Sequence, residues 1–185
     1  MVGVWYKKEI EIMGKSKAKN PKPKAKVFID GANIFYTQKH LGWNISWKKT
    51  LRLISADFDV IETRYYTGIK DSDQKMKKFL LRLREMGMKT VTKPLKIIKD
   101  KQGKVIYKSN CDVEMAIDIL LEVNNFDVLV LFSGDSDFVY LARILQKQFQ
   151  KKVVVYSSRK TISWEIRLTS DKHFFLEDIK TKVKK

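Results

Sequence analysis

"VLVLFSGDSDFVYLARIL", residues 128–145, decides the fold. Val128 to Phe132 are five apolar residues in a row, a pattern that suits a strand buried on both faces. The run stops at Ser133-Gly134-Asp135-Ser136-Asp137. Apolar residues then return at helical spacing from Phe138, through Leu141 and Leu145. A buried strand, a short acidic turn and a helix form the repeating unit of a sheet with helices on its faces.

The same alternation extends in both directions. Residues 26–30 (KVFID) read as a short buried strand. Residues 32–41 and 46–56 read as helices, the second with Ser46 at its N-cap. Residues 59–68 are strand-like, rich in β-branched and aromatic side chains. An amphipathic helix spans 72–87 and stops at Gly87. Residues 89–93 form another short strand, and 96–108 a β-hairpin turning at 100–103. A helix over 112–123, strand 127–133, helix 136–149, strand 152–158 and a helix around 162–170 complete the order. The expected fold is α/β, with a mostly parallel central sheet and helices on both sides.

The composition limits the function. The 185 residues are 44% hydrophobic, enough for one domain with a proper core. The formal charge of +17 attracts polyanions, nucleic acid first among them. A merely solubilising lysine-rich surface is the plainer reading. One cysteine, Cys111, excludes an internal disulfide, and two isolated histidines, His40 and His173, argue against a zinc site. No apolar stretch reaches 18 residues and no signal-peptide core is visible, so no membrane association and a cytoplasmic setting are expected. Residues 1–25 read as a basic, disordered tail, either an inert linker or a phosphate-attracting arm. Met13 offers an alternative start. The domain is expected over 26–178, with a basic C-terminal end at 179–185.

In open parallel sheets, sites gather at the carboxyl ends of the strands, where strand order reverses. Asp30 closes the first strand, and Asp135 follows the most apolar one. Asp112 stands at the start of a helix. Any one of these is unremarkable as a helix cap, a role that contributes about 1 kcal/mol. Together they form a less ordinary set. Carboxylates brought together repel unless neutralised, and an oxygen-only set suits Mg²⁺ or Mn²⁺.

The blocks "VFIDGANIFY", "KSNCDVEMAIDIL" and "LFSGDSDFVYLARIL" resemble the signatures of the NYN domain, a branch of the PIN-like nucleases. The resemblance spans residues 26–178 and implies a three-layer α/β/α domain with metal-dependent ribonuclease activity on RNA. It implies Asp30, Asp112, Asp135 and Asp137 as catalytic acids, with Asp30, Asp112 and Asp135 holding Mg²⁺ or Mn²⁺. Asn33, Ser133 and Ser136 match polar positions around the substrate, and Lys108 a basic one that could touch phosphate. Asp118 also matches a recurring acid. At 3.6 residues per turn it lies about 120° around the helix from Asp112, so a supporting role, or a bond to a neighbouring loop, is expected at least as much as metal contact. Glu114 shares Asp118's face and is expected to be solvated.

Two other readings remain open. One is a non-catalytic RNA-binding or regulatory protein on the same fold. The other is a phosphatase or phosphotransferase, disfavoured because its acid pair would lie on the first strand. Trp43, Trp47, Tyr65, Tyr66 and Trp164 could stack on bases, although core packing suits most of them better. Trp43, in the loop after the first helix, is the best placed for exposure.

Overall fold

The computed structural model describes residues 21–99, 105–108 and 110–185. Residues 1–20, which hold most of the expected tail, and the expected hairpin turn at 100–103 lie outside the described residues. The chain runs β1 (Lys24–Asp30), α1 (Gly31–Leu41), α2 (Trp47–Asp57), β2 (Asp59–Ile69), α3 (Gln74–Glu85) and β3 (Lys89–Pro94). The antiparallel pair β4 (Lys96–Lys99) and β5 (Val105–Lys108) follows, then α4 (Asp112–Leu121), β6 (Val128–Phe132) and α5 (Val139–Phe149). The last elements are β7 (Lys152–Ser157), α6 (Trp164–Thr169), β8 (Lys172–Phe175) and α7 (Lys180–Val183).

Six strands form one sheet in the order β3-β2-β1-β6-β7-β8, every neighbouring pair parallel. From β1 the chain steps outward through β2 to β3. It then crosses back to β6, on the other side of β1, and steps outward again. Strand order therefore reverses between β1 and β6, and their carboxyl ends flank the crevice where parallel sheets bind ligands.

Alternation along the strands separates two cores. Val27, Ile29, Val130, Phe132 and Tyr156 face Ile34, Trp47, Ile54, Leu80 and Val183 from α1, α2, α3 and α7. Phe28, Leu129, Leu131, Val153 and Val155 face Met115, Ile119, Leu141, Leu145 and Ile166 from α4, α5 and α6. Central strands buried on both faces explain why β6 reads as an unbroken apolar run.

Several expectations need correction. The first strand begins at Lys24, and Pro23 already accepts the Asp59 N–H. The C-terminal end belongs to the packed body: Val183 is fully buried and Lys184 bridges to Ile45. These last residues cover the α1–α2 loop, so Trp43 is buried with Ile45 rather than exposed. Trp47, Tyr65 and Tyr66 are buried too, whereas Trp164 is exposed. Ser46 does stand at the N-cap of α2, but its side chain makes no capping bond. Gly87, at φ 83°, follows α3 in the left-handed conformation that ends helices.

Candidate metal centre

The end of β1 is fastened to the end of β6 by side chains. Asp30 caps α1 by accepting the Asn33 N–H at 3.0 Å. Its other carboxylate oxygen accepts the hydroxyl of Ser133 at 3.1 Å, and Ser133 is fully buried. The Ser133 oxygen accepts the Asp135 N–H at 3.2 Å, and Asn33 Oδ1 accepts the Gly134 N–H at 3.2 Å. Asn33 and Ser133 thus shape the turn from within.

Two glycines make this close approach possible. A Cβ at Gly31 would lie 2.5 Å from the Tyr66 carbonyl oxygen. A Cβ at Gly134 would lie 2.2 Å from the Thr161 carbonyl oxygen and 2.7 Å from Ile162 Cα.

After Gly134 the chain makes one 3₁₀ turn, Ser136–Phe138, before α5 starts at Val139. Asp135 caps this turn by accepting the Asp137 N–H at 3.0 Å. The helix expected from Ser136 therefore starts three residues later, and the Asp137 N–H of the intervening turn is already taken. Ser136 itself is exposed beside the acids. Asp112 is the first residue of α4, and its N–H donates to Asn110 Oδ1 at 2.8 Å.

Asp112, Asp135 and Asp137 each present a carboxylate oxygen, all within 4.8 Å of one another. Asp30 lies deeper, tied to Ser133, and its charge reaches both Asp112 and Asp135. The electrostatics record the crowding. Burial, then the charge of Asp30, then those of Asp135 and Asp137 push the Asp112 carboxyl up to about 6, against a modest lowering by Asn110. Asp30 is also raised, chiefly by burial and further by Asp135, while the Asn33 N–H and the Ser133 hydroxyl pull it down. Crowded carboxylates with only oxygen donors are the set that hard divalent cations occupy, and the residues present fit Mg²⁺ or Mn²⁺.

Asp118 points elsewhere. It accepts the Tyr66 hydroxyl at 2.7 Å and pairs with Arg64 Nη1 at 3.2 Å. Arg64 also binds Glu62 at 2.5 Å and Glu122, while Lys26 joins Glu122 from β1. This network ties α4 to β1 and β2, so Asp118 holds the helix that presents Asp112. Glu114, expected in solvent, instead pairs with Lys93 at 2.5 Å. Lys93 also donates to the Asn110 carbonyl at 3.3 Å, beside Asp112. Nothing in the local sequence of β3 announces that contact, which depends on the sheet bringing Lys93 beneath a helix. Lys108 ends β5, and its side chain lies outside the described portion. A surface depression of about 590 Å³ lies by Arg64, Arg84 and Thr90 at the β2–β3 edge, and none of the acids lines it.

A parallel α/β/α sandwich with clustered aspartates at the β1–β6 switch point defines a PIN-like domain. The sequence matches the NYN domain model over residues 24–177, and the chain belongs to that family. It is 32% identical over 163 residues to the low amplitude and bright protein LabA of Synechococcus elongatus, covering 86% of this chain and 87% of that protein. The crystal structure of VPA0982, a protein of unknown function from Vibrio parahaemolyticus, superposes with a TM-score of 0.75. That match has 23% identity and covers 88% of this chain and 98% of the other. It supports the fold alone. Among the described residues no helix is long and apolar enough to cross a membrane.

Proposed function

We propose that this chain is an endoribonuclease that hydrolyses RNA phosphodiester bonds with Mg²⁺ or Mn²⁺ held by its aspartates. The observation that carries the reading is the convergence of Asp112, Asp135 and Asp137 at the switch point, with Asp112 pushed up to about 6. A site that keeps such mutual repulsion is built for a bound cation. The NYN family and the formal charge of +17 support RNA as the substrate class, and a cytoplasmic setting is part of the proposal.

In this reading Asp112 and Asp135 are metal ligands, Asp137 completes the set, and Asp30 acts from below, directly or through water. The bound ion supplies an activated water and a counter-charge for the leaving oxygen. Asp137 is the most exposed of the acids and is placed to orient the attacking water. Ser136, exposed beside the acids, would meet the phosphate from the solvent side, and Lys108 is proposed as a cationic phosphate contact on the strength of the family motif alone. Asn33 and Ser133 keep the turn in shape, and Asp118 keeps α4 in place. Water adds to phosphorus as the bond to the leaving ribose oxygen breaks, and that oxygen takes up a proton.

The test is incubation of the purified chain with mixed RNA in Mg²⁺, Mn²⁺ or EDTA. Cleavage that requires metal and disappears in Asp135→Asn and Asp30→Asn, with both variants folded, is expected. RNA retention without cleavage under every metal would assign the chain to non-catalytic binding instead.

A further inference from the structure

The turn that carries Asp135 and Asp137 leads directly into a surface the acids do not explain. Tyr140 is 75% exposed and Trp164 is 68% exposed, large aromatic areas left in water. Both belong to helices that pack against the turn carrying Asp135 and Asp137. Tyr140 follows Asp137 by three residues, about one turn across the 3₁₀-to-α junction, so it continues the same face. Trp164 opens α6, which packs against both the Ser136–Phe138 turn and α5. The residue before it, Ser163, donates its N–H to the Gly134 carbonyl at 2.8 Å. The loop leading into α6 is thereby locked to the acidic turn.

Cations extend the row. Arg143 and Lys147 are exposed on α5, three and seven residues after Tyr140. At 100° per residue, Lys147 returns to within about 20° of Tyr140 and Arg143 to within about 60°. Arg167 is exposed one turn after Trp164. The surface thus passes from acids to aromatics to cations along two adjacent helices.

Resting on the nuclease reading, we propose that the α5–α6 face is a single-strand track. Tyr140 and Trp164 stack on unpaired bases flanking the scissile phosphate, while Arg143 and Lys147 meet the following phosphates. Aromatic platforms accept any base but only an unpaired one, because duplex bases hide their faces in the stack. The track therefore selects single-stranded over double-stranded RNA without selecting sequence. A protein partner would not need aromatic and cationic groups in register with an acidic pocket. An extended polyanion does.

Binding is measured in EDTA, so the result does not depend on cleavage. The full chain is titrated with a 12-nucleotide oligo(U) and with a 12-base-pair RNA duplex, affinity being read from a label on the RNA, and tryptophan emission is followed alongside for oligo(U). Trp43 and Trp47 are buried, and Trp164→Leu reports what these two and Trp5 contribute to the emission. Oligo(U) should quench the wild type by more than it quenches Trp164→Leu. Trp164→Leu and Tyr140→Ala should each weaken oligo(U) binding by about 5- to 150-fold, the range of one lost base stack. Duplex binding should stay within about twofold. Arg143→Ala and Lys147→Ala should each reduce the single-strand salt slope by about 0.7. Unchanged oligo(U) affinity in both aromatic variants, or equal losses for oligo(U) and duplex, overturns the track. Neither outcome touches the metal-site reading, which the cleavage test decides separately.

Discussion

Asp112→Asn should inactivate the protein and stabilise it. The carboxyl of Asp112 rises from an ordinary 3.8 to about 6 on folding, first through burial and then through Asp30, Asp135 and Asp137. A carboxyl raised on folding works against the folded state at neutral pH. The penalty is absent below the unfolded value near 3.8, grows as pH rises, and is complete above about 6. At 1.36 kcal/mol per pH unit the full penalty is about 3 kcal/mol. The side chain is only half-buried, and solvent screening reduces this to about 1.5 kcal/mol. Asparagine removes the repulsion but also forfeits a negative charge in the first turn of α4, worth about 0.3–1 kcal/mol. The net gain is about 1 kcal/mol, or about 2–4 °C in Tm for a chain of this size. Thermal melts in EDTA at pH 7.5 should show the variant above the wild type. The gap should close as the buffer is taken toward pH 4. Added Mg²⁺ or Mn²⁺ should raise the wild type and leave the variant behind, because only a chain that binds the ion gains stability from it. A variant that melts below the wild type in EDTA, or responds equally to metal, would refute the crowding argument.

Asp118→Asn should behave oppositely, losing about 1–2 kcal/mol in urea unfolding with its Arg64 pair while keeping cleavage at saturating RNA. Gly134→Ala should cost about 1–3 kcal/mol in the same assay, because its Cβ meets the backbone of Thr161 and Ile162. A smaller loss would mean that the 158–163 loop yields freely. The basic segment before Pro21 should contribute phosphate contacts without chemistry. Its deletion should weaken RNA binding at low salt and flatten the salt dependence, with the cleavage rate at saturating RNA unchanged. Cutting further, to residue 25, would remove part of β1 and confuse the comparison.

The layered fold and its acidic edge were legible because they rest on short-range patterns. β6 announces itself by burial on both faces, and α3 and α5 by their apolar stripes. Asp30 and Asp135 were placed by the rule that strand ends carry function, and the parallel register of β1 with β6 brings them together. Asp118 could be separated from Asp112 by helix geometry alone, yet its partners Arg64 and Tyr66 lie over 50 residues away in sequence. Contacts of that kind leave no local trace.

β8 and α7 went unread for a related reason. β8 has four residues and α7 is a single turn, too short for either periodicity to emerge. Their stability comes from what they cover: Val183 completes the core beside Trp47, and β8 pairs along β7. Trp43 was lost with them, because a loop looks exposed until the segment that covers it is known. The exposed aromatics show the converse. Tyr140 and Trp164 sit in amphipathic helices at positions where the apolar face has already turned away. Burial elsewhere, not any property of the two residues, leaves them in water. The core needs Phe138, Leu141, Leu145 and Ile166 from these helices and makes no demand on the outward positions, which leaves Tyr140 and Trp164 available to the single-strand track proposed above.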